Sequence, residues 1–463
     1  MSKQETPIRI LQIGNGNFLR GFLDWMIQKA NEKGVWEGRI HSIQIHSTET
    51  DQRMVRQANK FHVWTAGIEK GEKIDLLDEI DCVKRYTCLT SDFSELKQIS
   101  QNPTLEWVVS NTTEAGINYE KEAFQPGTIP KTFPAKMTAL LWERFQFFGG
   151  ASQKGLTFLP CELIANNGDQ LQEIMLQYAR DWSLEEAFID WIKKSCKFCN
   201  TLVDRIVPGF PKEKINELSD RLTTKDKLLV MAEPYHFWAI EGDKEVEKSL
   251  PLHRAGLNVQ FVTDIKPYRE RKVRILNGAH TALVPYAYLQ GLRTVRESVE
   301  HPEIGKWLRE LVFEEIVPHV SLDREETFRF AEDVMERFAN PFIRHELRSI
   351  ALNQISKFKV RVLPSLLDYF EEKGHWPQRL MESFAATLLF YRGQVGDQKI
   401  PLNDDPEILT LFEGLWKNDS EKELVQKVLS EEKLWGENLA LHSGLSESLE
   451  NALGNLQADL GLL

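Results

Sequence analysis

The stretch IRILQIGNGNFLRGFLDWMIQKANEKG, residues 8–34, decides the fold. Its opening IRILQIG is a short apolar run ending on glycine, which predicts a strand over residues 8–14. The following FLRGFLDWMIQKANEKG reads as a helix, and Gly34 suits a left-handed end to it. Strand, glycine turn and helix in that order form the first half of a parallel βαβ unit. Three further runs, HSIQIHS (41–47), LEWVVSN (105–111) and LTFLPC (156–161), read as strands, so an open, mostly parallel sheet is expected.

Beyond LNVQFVTD (257–264) strand signals largely disappear, and long amphipathic segments such as SLLDYFEEKGHW and DPEILTLFEGLW take over. At 463 residues the chain exceeds what one hydrophobic core usually supports. The expected architecture is an α/β domain over residues 1–264 and a mainly α-helical domain over residues 265–463.

With 42% hydrophobic and 27% charged residues, the composition is that of an ordinary globular protein. A formal charge of -12 argues against a nucleic-acid partner, which needs a basic face, but leaves room for a small anion held by a local patch. MSKQETPIRI lacks the layout of a signal peptide, and no run reaches the ~18 apolar residues of a membrane span. Five cysteines are too few and scattered for a disulfide framework. No membrane partner and a cytoplasmic, reducing setting are therefore expected.

Within GNGNFLRG (14–21), Gly14 and Gly16 can turn the chain tightly and bring backbone amides close to a pyrophosphate. Leu19 stands where a third glycine is usual, and Gly21 is displaced by two; a turn needed only for packing would look alike. An acidic residue accepting ribose hydroxyls is expected after strand two, where HSTETD offers Glu49 and Asp51, neither plainly at the tip. VVSNTTEAGI (108–117) puts small polar residues and Glu114 at the carboxyl end of a strand, the edge where such sheets bind ligands. A carboxylate stabilising a helix start has the same appearance.

KVRILNGAHTALVP (272–285) reads as helix, started by Pro267 behind Asp264. At ~100° per residue, with Lys272 at zero, His280 falls near ~80° and Asn277 near ~140°, so all three can face one concavity. A lysine with basicity lowered by burial or like charge can move protons near neutral pH. A fall of ~3 units costs about 4 kcal/mol, which proteins usually carry only for function. KPYRERKVR (266–274) crowds Lys272 with Lys266, Arg269, Arg271 and Arg274 against Glu270. A solvated helix face would also carry these residues, and Gly278 suggests the close approach of substrate or another backbone.

Over nearly its whole length the chain resembles the mannitol dehydrogenase family of long-chain polyol dehydrogenases and reductases. Lys272, Asn277 and His280 match that family's KxxxxNxxH motif, FCNTLVDRIVP (198–208) is similar to its V-D-R signature, and GNGNFLRG resembles its variant nucleotide turn. EPYHFWAIEG (233–242), DIKPYRERKVRILNGAHTALVP (264–285) and NQISKFKVRVLP (353–364) resemble its hexuronate-reducing branch. The resemblance implies a Rossmann-like N-terminal domain and metal-independent hydride transfer with NAD. The cofactor would be held by Gly14, Asn15, Gly16, Asn17 and Phe18, with Ser47, Thr112 and Asp204. It also implies that Lys272 is the acid/base, Asn277 and Asn167 form an oxyanion hole, His280 orients the hydroxyl and Glu114 relays protons. Mannitol enzymes carry CDN where this chain has Cys161, Glu162 and Leu163, which puts polyol contacts there in doubt. A hexuronate or aldonate substrate needs a cation, and Lys357, Arg361 and Arg348 are the candidates.

The single CxxC of Cys196 and Cys199 lacks a second pair at zinc spacing, so no metal is expected. No GxSxG elbow appears. Two alternatives stand beside the hexuronate reading: a mannonate or mannitol oxidoreductase, and a non-catalytic dinucleotide-binding sensor or scaffold.

Overall fold

The computed structural model describes residues 6–45, 49–90, 92–222, 225–396 and 398–462. The chain divides into two compact units, residues 1–66 with 73–265, and residues 67–72 with 266–463.

The first unit is built on the predicted turn. Strand β1 (Ile8–Ile13) buries Ile10, Leu11 and Ile13 completely, the mark of a strand covered on both faces. It is followed by β2 (Arg39–Gln44), β3 (Phe61–Glu69), β4 (Glu72–Ile80), β5 (Val83–Cys88), β6 (Trp107–Ser110), β7 (Thr157–Pro160) and β8 (Lys197–Phe198). The main sheet runs β5-β2-β1-β6-β7-β8, and every neighbouring pair in it is parallel. Strand order reverses between β1 and β6, which opens a crevice at their carboxyl ends. β9 (Thr201–Asp204), β10 (Val230–Ala232), β11 (Phe237–Glu241) and β12 (Val259–Val262) complete two smaller sheets, β10-β3-β4 and β12-β11-β9. One apolar core holds Phe22, Met26 and Trp238; the other holds Phe133, Leu140 and Phe158.

Strand two begins two residues earlier than its apolar alternation suggests, because the Arg39 amide donates to the Pro7 carbonyl at 2.8 Å and starts the ladder there. The helix after the turn is not uniform. It runs Asn17–Leu19, opens into a π turn over Arg20–Asp24 and closes again over Trp25–Glu32, and Gly34 beyond it takes φ +64°.

The second unit is mainly helical. It takes in the β3-β4 tip, where Lys70 and Gly71 both have positive φ and their amides donate to Glu336 at 2.9 and 2.8 Å. A helix over Lys266–Arg271 passes into a π turn over Lys272–Asn277 and then into a helix over Gly278–Leu289. The last of these is buried on nearly all sides, as a central helix must be, and packs against the helices Gln354–Arg361 and Gln378–Phe390. Among the described residues no helix is long and apolar enough to cross a membrane.

Candidate active site

Gly14 ends β1 with φ +102°, a conformation only glycine takes readily, and its amide donates to the Ile43 carbonyl at 2.8 Å. Gln12 Nε2 donates to the Gly14 carbonyl at 3.0 Å, so the turn is clamped from the strand below. A Cβ on Gly16 would meet nothing within 4 Å. A Cβ on Gly21 would stand 3.0 Å from Val207 and 3.1 Å from Val230. Gly21 therefore does the close-packing work of the usual third glycine two positions late, and Leu19 is buried apolar filling at 1% exposure.

A cavity of about 490 Å³ lies at the switch point, lined by Gly14, Asn15, Gly16, Glu49, Asp51 and Thr112 among others. Asn15 Oδ1 is buried there without a hydrogen-bond partner among the described residues. Open space at Gly16 fits a dinucleotide whose phosphates lie against the turn, and the orphaned acceptor Asn15 Oδ1 fits one of its ribose hydroxyls, which donate. Asp51 caps the short helix after strand two and holds Arg53 through Nε at 2.9 Å and Nη2 at 2.7 Å, which keeps its carboxyl below the usual range. Asn17 is exposed and accepts from Arg20 at 2.7 Å, and Phe18 stacks on Phe22 with ring centres 4.9 Å apart. Ser47 lies outside the described residues.

The edge beyond β6 is organised by Glu162. Its buried carboxylate accepts from Ser110 Oγ at 3.0 Å, the Thr112 amide at 2.9 Å and Thr112 Oγ1 at 2.8 Å. Burial pushes this carboxyl up, and those donors pull it back. Glu114 begins the short turn Glu114–Gly116 directly after Thr112 and Thr113.

Asn167, expected in the oxyanion hole, lies between β7 and β9. It is fully buried, its Nδ2 donates to the carbonyls of Pro160, Glu162 and Thr201 at 2.9–3.1 Å, and its Oδ1 accepts from the Gly168 and Thr201 amides. Both ends of the carboxamide are spent fastening β7 to β9, so no donor remains for a substrate oxygen. The V-D-R segment is likewise partly structural. Asp204 is buried on β9 opposite Phe237, while Arg205 donates to the Gly21 carbonyl at 2.7 Å and the Glu233 carbonyl at 2.9 Å, its guanidinium 4.0 Å from the Trp25 ring. That brace on the nucleotide helix carries no local sequence signal, because its partners lie far along the chain.

In the second unit the π turn alters the angles expected of Lys272, Asn277 and His280. The Gly278 amide bonds to the Val273 carbonyl five residues back, and in such a turn residues five apart come nearly into register. Lys272 and Asn277, five apart and both half-buried, thus share a side, where an α-helix would have spread them by ~140°. A Cβ on Gly278 would stand 2.9 Å from the Arg361 carbonyl, so this glycine admits a neighbouring backbone. Arg361 Nη1 in turn reaches Thr281 Oγ1 at 3.4 Å.

His280 is buried at 8% exposure, its ring stacked on Phe338 at 4.1 Å and edge-on to His345 at 5.0 Å. Burial, then the charges of His345, Arg337 and Arg361, hold its pKa well below the ordinary imidazole value, so the ring is neutral. Its Nε2 is buried without a partner among the described residues. Lys357 Nζ donates to the Ile350 carbonyl at 2.8 Å; burial and then Arg361 lower its pKa. Arg348 is exposed. The basic cluster around Lys272 is largely neutralised: Arg271 pairs with Glu326 at 2.6 Å, and Arg274 pairs with Asp368 and, at 3.3 Å, with Glu270. His345 and Arg337, missed in the sequence, join the site through the fold alone.

Fold and site together define a two-unit protein, one unit a dinucleotide-type α/β sheet and the other a helical unit with a lysine in a π turn. Residues 8–254 match the mannitol dehydrogenase Rossmann domain and residues 264–457 the mannitol dehydrogenase C-terminal domain, and the chain belongs to that family. It is 44% identical to the altronate oxidoreductase of Bacillus subtilis, over 94% of this chain and 89% of that one. The altronate oxidoreductase of Phocaeicola vulgatus is 40% identical over 98% and 96%. Among solved structures the fold is similar to a D-sorbitol dehydrogenase (TM-score 0.75, 21% identity, covering 96% and 95%). It is also similar to Pseudomonas fluorescens mannitol 2-dehydrogenase in complex with NAD and D-mannitol (TM-score 0.67, 22% identity, covering 98% and 93%).

Proposed function

We propose that this protein is an NADH-dependent oxidoreductase that interconverts D-tagaturonate and D-altronate. The observation that carries the reading is the π turn that puts Lys272 and Asn277 on one side, one helical step ahead of a buried neutral His280. Relatives named altronate oxidoreductase at 40–44% identity over nearly the full chain support the substrate. NADH supplies the hydride that ends on the substrate's carbonyl carbon.

Lys272, as the ammonium, gives its proton to the carbonyl oxygen as that oxygen gains charge, leaving a hydroxyl and a neutral amine. Asn277 donates an amide hydrogen to the same oxygen. His280, neutral and with Nε2 unpartnered, hydrogen-bonds a substrate hydroxyl and fixes its orientation without exchanging a proton. Water returns the proton to Lys272 with Glu114 as relay. The substrate carboxylate goes to Arg361, which the Gly278 contact draws against the central helix, with Lys357 beside it. Arg348, on an exposed face, is the weaker candidate. Asn167 has no chemical role here. The five free cysteines suit the cytoplasmic setting we assign.

The test follows NADH and NADPH absorbance with D-tagaturonate, D-fructuronate and D-fructose. Oxidation of NADH with tagaturonate well above the other two is expected; no oxidation with any of the three overturns the reading.

A further inference from the structure

In the second unit His280 has a neighbour to which the reaction gives no task. His345 is half-buried, and its ring stands edge-on to that of His280, with 77° between the planes and 5.0 Å between the centres. The backbone that carries it is fixed on both sides: the His345 carbonyl accepts from the Val295 amide at 3.0 Å, and the Leu347 amide donates to the Arg293 carbonyl at 2.9 Å. Ahead of this segment, buried Asn340 accepts from the Phe342 amide through Oδ1 at 2.9 Å and holds the turn that leads into it. The ring is thus delivered by chain bonds, and its own nitrogens take no part in holding it.

Neither ring nitrogen of His345 has a hydrogen-bond partner among the described residues, and Nε2 of His280 is buried with none. Every other described histidine brings a ring nitrogen to a hydrogen-bond or ion-pair partner, as His62 does to Asp226 at 3.0 Å and His236 to the Pro234 carbonyl at 3.0 Å. A histidine that only fills space is expected to spend a nitrogen in the same way, because an idle polar atom taken from water loses a hydrogen bond. The two exceptions are the two that touch. Burial lowers the pKa of both rings and keeps them neutral. A neutral imidazole offers one donor and one acceptor, which matches a sugar hydroxyl, itself donor and acceptor. A carboxylate is a poorer partner, since a neutral ring brings no charge, whereas Arg361 stands near enough to depress His280 and does bring one.

Resting on the hexuronate reading above, we propose that His345 is a specificity-determining residue: His280 binds the hydroxyl beside the reacting carbonyl, and His345 binds a hydroxyl further along the same chain. Two rings set edge to face, 5.0 Å apart and each with a nitrogen to spare, suit two hydroxyls of one ligand. D-Tagaturonate and D-fructuronate are epimers, differing in the configuration of one hydroxyl-bearing carbon. Their carbonyl and carboxylate are the same, so Lys272, Asn277 and Arg361 cannot tell them apart. A hydroxyl that meets His345 in one epimer points away in the other and leaves the imidazole unmatched.

The test measures kcat/KM for D-tagaturonate and D-fructuronate in the wild type, His345→Phe and His345→Gln, with NADH titrated fluorometrically into each. His345→Phe keeps an aromatic ring against His280 and removes both nitrogens. It should lower kcat/KM for tagaturonate about tenfold, mostly through KM, and leave the value for fructuronate within about twofold. His345→Gln, which can still donate and accept, should retain most of the preference for tagaturonate. NADH affinity within about twofold of the wild type, with an unchanged circular dichroism spectrum, checks that each variant is folded, and His345→Leu replaces His345→Phe if the larger ring unfolds the chain. An equal fall for both ketones, the mark of a packing role, or an unchanged ratio between them overturns the inference and leaves the hexuronate reading standing. A wild type that reduces neither ketone overturns both.

Discussion

The two glycine-bearing stretches GNGNFLRG and KVRILNGAH use glycine and a π turn for different ends. In the first, the turn is clamped by backbone and side-chain bonds from β1 and β2, Gly16 leaves open space, and the π turn over Arg20–Asp24 follows after the three residues Asn17–Leu19. In the second, the π turn itself carries the polar residues, and Gly278 is filled by the Arg361 backbone. One stretch is a clamped backbone shelf with open space at Gly16. The other is a side-chain array whose alignment depends on how its helix is wound and on what presses against it.

The largest effect that sharpens this contrast is expected from Lys272→Met, which should lower kcat by about 10²–10⁴-fold, the usual worth of a positioned acid/base group. Next, Arg361→Met should raise the KM for tagaturonate by about 10–100-fold, the cost of losing a charged hydrogen bond, with a smaller change in kcat. Steady-state kinetics read both.

The glycines form a matched pair. Gly278→Ala forces a methyl against the Arg361 carbonyl and should cost about 1–3 kcal/mol of stability by denaturant titration, with lower kcat/KM. Gly16→Ala has no clash to pay, so its melting temperature should equal the wild type's while the NADH Kd rises about tenfold. If Gly16→Ala bound NADH as tightly as the wild type, the shelf would not be the ligand's seat.

The smallest expected effect is a pH dependence inside the shelf. Burial holds Asp24 at about 8, against about 4 in an unfolded chain, so between those values the folded state binds a proton that the unfolded state does not. That contribution is full below about pH 4 and lost as pH rises through 8. Asp24→Asn should therefore raise the melting temperature more at pH 9 than at pH 5.

The same contrast explains what could be read in advance. The shelf was legible because strand period and glycine are local signals, and β1, its turn and Gly34 lie where alternation and capping put them. Gly21 was not, since Val207 and Val230 meet it only through the fold. In the second stretch residue types were visible, but their angles were drawn on a uniform α-helix, and no local pattern announces five-residue bonding at Lys272–Asn277. The surroundings of Asn167 were hidden for a related reason: an Asn-Gly after a strand looks the same whether its amide faces solvent or, as here, three backbone carbonyls. The arginines beside Lys272 changed meaning once their partners Glu326 and Asp368 appeared from distant helices.

The most direct test of this division of labour is single-turnover NADH oxidation by D-tagaturonate in Lys272→Met and Gly16→Ala, with NADH titrated fluorometrically into each. The predicted result is crossed: Lys272→Met binds NADH as the wild type does but turns over slowly, while Gly16→Ala binds NADH weakly and reaches the wild-type rate at saturation. A wild-type rate in Lys272→Met would contradict the account at its centre.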